Sequence, residues 1–475
     1  MAFAPPRRDQ EPIVTGDVFR GLISELFYEG DLYGFIEGTV GNLLGISRGT
    51  VLMIVFAAFL GVLWSLIPNL PTFALAWVVG TMPIWLPIAA VPMGWKSWRW
   101  YIQSAYIASK KSVLLEVKMP REVVKSPRAM DVALAQLWMN HGEVSFFNRS
   151  WMGTIRPYWS LEIVSFAGEV HLYMWCWASH RRLLESIIYA QYPEVEIVEA
   201  EDYAMKFDFD PQKQVVACCD WRLEPKNDAY QLRTYVDFEL DKDPKEEYKV
   251  DPFAQVLENF SALGPGEQAW LQIVFTMSKD NRRDPKGKWF QLESRYTGLI
   301  KEAIDDIRKE TLGGDINDPK ERWRSFVRIQ QYRQTEQIRS MDRNMGKHPF
   351  NVGTRVTYIA TPEAFHYPTW VRLREVYHSV GNPQWGNQLR YRRWHVPFDY
   401  PWQDLWNIRF NLASSRFYDC YRRRAHFYSP YVLPHNMMST EVIATLWHPA
   451  TSGIKAPGLE RIPSKKAQPP PNLPK

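Results

Sequence analysis

The chain has 475 residues, 46% of them hydrophobic and 23% charged, with a net charge of +5. That length and balance leave room for two or three domains with a real core, and they exclude a largely disordered chain. The positive excess is too small to choose between lipid headgroups and nucleic acid as an anionic partner.

Residues 1–47 read as a cytoplasmic or interfacial segment. Within it, residues 17–36 place Val18, Leu22, Ile23, Leu26 and Phe27 on one face. That spacing predicts an amphipathic helix, broken near Gly30, lying in the plane of a membrane interface. Residues 49–95 contain no charged side chain. The run is too long for one helix, and Pro68-Asn69-Leu70-Pro71 divides it into 51–67 and 72–92. Each half fits the roughly 17–25 residues needed to span a bilayer. The expectation is a transmembrane helical hairpin over 48–95, its second arm kinked at Pro83, Pro87 and Pro92. A buried soluble hairpin would seldom lack every charge over such a length. Arg48 precedes the hairpin, and Lys96, Arg99, Lys110 and Lys111 follow it before the first acid, Glu116. The positive-inside rule then puts both termini in the cytoplasm. Trp95, Trp98, Trp100 and Tyr101 form an aromatic belt at the exit of the second arm.

Residues 96–205 predict the order β-α-β-β-α-β. Residues 113–119 alternate as a strand, and Ser126-Pro127 opens a helix. Residues 158–165 and 169–177 form a hairpin, 180–192 a second helix and 195–198 a last strand. This is the split pattern of a ferredoxin-like sandwich. Residues 206–400 suggest a second copy: a strand at 233–240, a helix at 252–263, strands at 268–277 and 354–360, a helix at 368–380 and a strand at 388–395. A charged insertion at 289–346 reads as two helices broken near Gly313-Gly314. The fold class expected is therefore α+β, a membrane hairpin followed by a ferredoxin-like sandwich that is duplicated around a helical insertion. Residues 401–454 read as a C-terminal helical region. Residues 455–475 are a proline-rich, extended tail, free in solution or reaching toward a partner.

Motifs for chemistry are absent. The nearest approach to a P-loop, at 282–289, has Arg282 where the first glycine belongs and Trp289 where a magnesium-binding hydroxyl belongs. No dinucleotide fingerprint, nucleophile elbow or H-E-x-x-H helix occurs. Cys176, Cys218, Cys219 and Cys420 form no C-x-x-C pair, which argues against a zinc or redox motif and suits a reducing compartment. No cofactor, metal or catalytic residue is expected. Arginines interleaved with aromatics are the more suggestive signal. Arg322, Arg324 and Arg328 lie near Trp323 and Phe326, Arg390, Arg392 and Arg393 near Trp394, and Arg422, Arg423 and Arg424 after Tyr421. That composition suits phosphate and stacking contacts with single-stranded nucleic acid, or contacts with a protein partner. The competing reading is the solvated face of an amphipathic helix.

The stretches VLLEVKMPREVVKSPRAMDVAL from Val113, YWSLEIVSFAGEVHLYMWC from Tyr158 and HRRLLESIIYAQYPEVEIVEAEDY from His180 resemble a bacterial membrane family. So does the C-terminal STEVIATLWHPATSGIKAPGLERIPSKKAQPPPNLPK. That family is similar to the membrane-anchored N-terminal region found ahead of type IV secretion and conjugation ATPases of the coupling-protein kind. In fused relatives the proline-rich PNLP segment leads into a P-loop ATPase domain, and in this chain the motor is expected to be a separate protein. The resemblance implies a non-enzymatic component of the bacterial inner membrane that anchors or docks a separate P-loop ATPase in a secretion-like or DNA-transfer system. Homo-oligomerisation stays open. The alternative is a membrane-tethered single-stranded nucleic-acid-binding protein.

Overall fold

The computed structural model describes residues 56–61, 64–65, 69–120, 125–139, 142–143, 145–210, 213–225, 227–242, 250–278, 295–312, 332–384, 386–394, 404–449, 458–459 and 461–462. The chain divides into two compact units, one of Met1–Met93 with Pro397–Arg409, the other of Gly94–Val396 with Phe410–Lys475.

In chain order the elements are α1 (Leu70–Ala108), β1 (Ser112–Pro120), α2 (Arg128–Gln136), α3 (Phe146–Ser150), β2 (Tyr158–Phe166), β3 (Glu169–Trp177), α4 (Arg181–Gln191) and β4 (Glu196–Ala200). They continue with α5 (Tyr203–Lys206), β5 (Val215–Glu224), α6 (Pro252–Ser261), β6 (Glu267–Met277), α7 (Arg295–Leu312), α8 (Tyr332–Met345) and β7 (Pro349–Ala360). The last are α9 (Tyr367–Arg374), β8 (Gln388–Arg393), α10 (Ile408–Arg422), β9 (Asn436–Ser439), α11 (Thr440–Leu446) and β10 (Arg461–Ile462). The fold is α+β.

Among the described residues one helix is long and apolar enough to cross a membrane, Leu75–Ala108 within α1. It contains Pro83, Pro87 and Pro92. Of the expected first arm, residues 56–61 and 64–65 are described, and they are helical. The rest of 51–67 and the amphipathic segment 17–36 lie outside the described residues.

Among the described residues the strands form one ten-stranded sheet in the order β10-β1-β3-β2-β6-β7-β5-β8, with β4 on β1 and β9 on β7. The expected halves 96–205 and 206–400 share this sheet. β2 and β6 pair antiparallel from Tyr158↔Thr276 to Phe166↔Gln268, and both strands are apolar enough to be covered on two faces. β2 and β3 are joined at Ala167-Gly168, both with positive φ, the geometry that matches strand twist in a tight hairpin.

Alternation sorts the side chains onto two faces. One face carries Leu115, Leu161, Ile163, Met174, Leu271, Ile273 and Val356. It packs under Leu134 of α2, Leu184 of α4, Leu257 of α6, Leu373 of α9 and Ile443 of α11. Each such side chain contributes about 1.5–3 kcal/mol by leaving water. The other face carries Tyr158, Tyr173, Trp175, Trp177, Trp270 and Val274, covered by Tyr203 of α5 and by Phe417 and Tyr421 of α10. Helix starts follow local chemistry. Asp251 caps α6 by accepting from Phe253 N, with Pro252 in the first turn, and Ser439 caps α11 by accepting from Val442 N.

Three expectations need correction. Residues 233–240 are not a strand. Thr234 N donates to Asp237 Oδ2 at 2.8 Å and Asp237 N to Thr234 O at 2.9 Å, so side-chain turn bonds override the alternation there. The strand in that place is β5, which pairs with β7 and β8. The tail is not free throughout its length. Arg461 and Ile462 pair with Met119 and Pro120 of β1, and Val170 N donates to Gly458 O at 2.8 Å. The C-terminal region 401–454 also holds a strand beside its two expected helices, since β9 joins the sheet. The insertion between β6 and β7 supplies α7 and α8, which share an apolar seam of Tyr296, Ile300, Ile304 and Met341.

Candidate functional site

The aromatic face of the sheet holds a buried polar lattice. Glu162 stands in the middle of β2, wholly buried, because its even-numbered register faces α5 and α10. Its Oε1 accepts from Ser160 Oγ at 2.8 Å and Gln272 Nε2 at 2.8 Å, and its Oε2 from the Tyr203 hydroxyl at 2.7 Å. Arg424 closes the set, with Nε donating to Oε1 at 3.0 Å and Nη2 to Oε2 at 3.1 Å. This guanidinium also binds Asp202, with Nη2 to Oδ1 at 3.0 Å, and donates from Nη1 to Arg422 O at 3.0 Å. Arg424 follows the end of α10 with φ +50, a left-handed turn that a non-glycine residue adopts at a cost of about 1–3 kcal/mol. The turn aims its side chain back under the helix, and the two carboxylates offset the strain.

Burial alone would push Glu162 up, but Arg424, Tyr203 and Ser160 outweigh it and hold its carboxyl below the usual value. A second buried guanidinium, Arg355 on β7, donates to Gln272 Oε1 at 2.8 Å, Cys420 Sγ at 2.9 Å and Ala425 O at 3.0 Å. Asp220 on β5 accepts from Trp394 Nε1 at 2.6 Å. Burial pushes Asp220 up to about 6 in spite of Arg355, Trp394 and Arg392.

A cavity of about 300 Å³ adjoins this lattice. Trp100, Ser104 and Ile107 of α1 form one wall, with Tyr158, His426 and Tyr428 among the others. His426 Nε2 lies 3.0 Å from Pro434 O, which makes Nε2 the protonated nitrogen and leaves Nδ1 as an acceptor. The ring fits because residue 353 is glycine: a Cβ there would meet His426 Cε1 at 2.3 Å. His426 Nδ1 and Ser104 Oγ are both buried without a hydrogen-bond partner. Burial, helped by Arg355, holds His426 well below its usual value, so it stays neutral. The cavity therefore offers an acceptor and a hydroxyl between aromatic walls.

The base of α1 is seated in this unit. Ile102 and Gln103 are buried, and Tyr106 meets Trp177 edge-on at 6.3 Å. Gly153, with φ +66, lies against the helix backbone: a Cβ there would meet Ile102 O at 2.4 Å.

The arginine clusters fare differently. Arg322, Arg324 and Arg328 lie outside the described residues. Arg390 and Arg392 are exposed on β8, with Arg390 paired to Glu224 at 2.8 Å; Arg393 belongs to the same strand. Arg422 and Arg423 both pair with Asp419. Arg424 is the correction: at 1% side-chain exposure it binds Glu162 and Asp202, and so it cannot reach a nucleic acid. All four cysteines are buried and none forms a disulfide, and burial raises the Cys176 thiol to about 12. Among the described residues no cluster of His, Cys, Asp and Glu is placed to hold a metal.

Sequence reasoning missed Glu162, Asp202, Arg355 and His426. The signal for two of them was a lone charge inside an otherwise apolar strand, YWSLEIVSF for Glu162 and PFNVGTRVTYIA for Arg355. A charge buried on a covered sheet requires a partner. No protein-family model matches the chain, and no curated protein matches it.

Proposed function

We propose that this chain is a non-enzymatic inner-membrane component that anchors and docks a separate P-loop ATPase in a type IV secretion-like or DNA-transfer system. One observation carries the reading most directly: the apolar helix α1 is also a core element of the α+β unit, through buried Ile102 and Gln103 and the close approach at Gly153. A soluble domain hung on a mobile linker would need no such seat. The buried charges support a structural role, since both oxygens of Glu162 and all three nitrogens of Arg424 are engaged within the lattice.

We read the strand sets β4-β1-β3-β2 and β8-β5-β7-β6 as two ferredoxin-like sandwiches joined edge to edge, a broad platform suited to docking. Residues 51–67 are the first arm of a membrane hairpin, and both termini face the cytoplasm. The test is thiol labelling from outside intact cells. The native cysteines are buried, so a cysteine at Asn69 should label and one at the exposed Lys213 should not. Labelling at Lys213 would overturn the topology.

A further inference from the structure

Where α1 leaves its charge-free stretch, the second unit presents an aromatic surface that no other described element covers. Phe146, Phe147, Trp151 and Met152, from α3 and the turn after it, are 60%, 56%, 53% and 58% exposed. They are continuous with the helix base. Phe146 stacks on Trp95 at 6.1 Å, Trp151 meets Trp95 at 6.2 Å and Trp98 at 5.9 Å, and Trp98 Nε1 donates to Ser150 O at 3.0 Å.

Trp95 is the last residue before the first charge, Lys96. Because the rings of Phe146 and Trp151 touch Trp95 and Trp98, they share the depth of those tryptophans, which is the depth of headgroups for a helix that spans, and Phe147 and Met152 are their chain neighbours. Four large apolar side chains left in water together are unusual on a soluble surface and usual on an interfacial one.

We infer that Phe146, Phe147, Trp151 and Met152 are a membrane-seating surface, inserted among lipid headgroups. This rests on the reading of α1 as a membrane span.

The experiment uses the full chain in phospholipid nanodiscs, with single cysteines carrying a nitroxide at Met152, at Gly80 within the span and at His378, whose side chain is 83% exposed. Accessibility to oxygen, which partitions into lipid, is compared with accessibility to a water-soluble nickel chelate. The oxygen-to-nickel ratio at Met152→Cys should be several-fold above that at His378→Cys and below that at Gly80→Cys. A water-like ratio at Met152 with a lipid-like ratio at Gly80 would overturn the seating surface alone. A water-like ratio at Gly80 would overturn the span beneath it.

Discussion

Arg424→Met tests whether the buried arginine is a core clamp. Arg424 and Glu162 are 1% and 0% exposed in their side chains. Removing one partner of such a pair leaves the other charge stranded, at a cost of about 3–5 kcal/mol. Glu162 would keep Ser160, Tyr203 and Gln272 as donors, so a loss near 3 kcal/mol is expected. Adding Glu162→Gln should restore most of that loss, because the uncompensated charge goes with it. Protonation sharpens the test. In the wild type the lowered Glu162 contributes stability above the ordinary carboxylate value and loses it as pH falls through the lowered one. In Arg424→Met burial is no longer opposed by the guanidinium, the carboxyl is raised, and the penalty shrinks as pH falls. Equilibrium denaturation in mild detergent, followed by tryptophan fluorescence, gives all four corners of the cycle. A single-mutant loss below about 1 kcal/mol, or no rescue by Glu162→Gln, would refute the clamp.

Gly153→Ala should cost roughly 1–3 kcal/mol and loosen the seat of α1, since the new methyl meets Ile102 O; the denaturation midpoint and protease access to residues 94–108 check it. Asp220→Asn should flatten a specific pH window. Between 3.8 and about 6 the folded chain retains a proton that the unfolded chain has released. Stability therefore falls as pH rises through that window and stays reduced above it. The variant should lose that slope, and melting curves on either side of the window will show whether it does.

Much of the secondary structure was legible because local chemistry decided it. The β2–β3 hairpin followed from two strand-like runs around Ala167-Gly168, and α6 was read from Pro252 onward, where the structure shows Asp251 as its cap. β5 was missed because Asp220 interrupts VVACCDWRLE, while RTYVDFEL alternates well and yet turns at Thr234 and Asp237. The lattice was not legible, because Arg424 and Glu162 are 262 positions apart. The run Arg422, Arg423, Arg424 looks like one basic patch, and only the left-handed turn at Arg424 separates the buried guanidinium from its half-exposed neighbours.

The central claim is that this chain works through a separate P-loop ATPase. The direct measurement is ATP turnover by the full chain purified in mild detergent, alone and with a separate P-loop ATPase of the secretion or conjugation kind from the same cells, each analysed for co-elution. The account predicts no turnover by the chain alone and a stable complex that carries the partner's activity. Turnover that co-elutes with the chain alone would contradict it, and so would failure of the two proteins to associate.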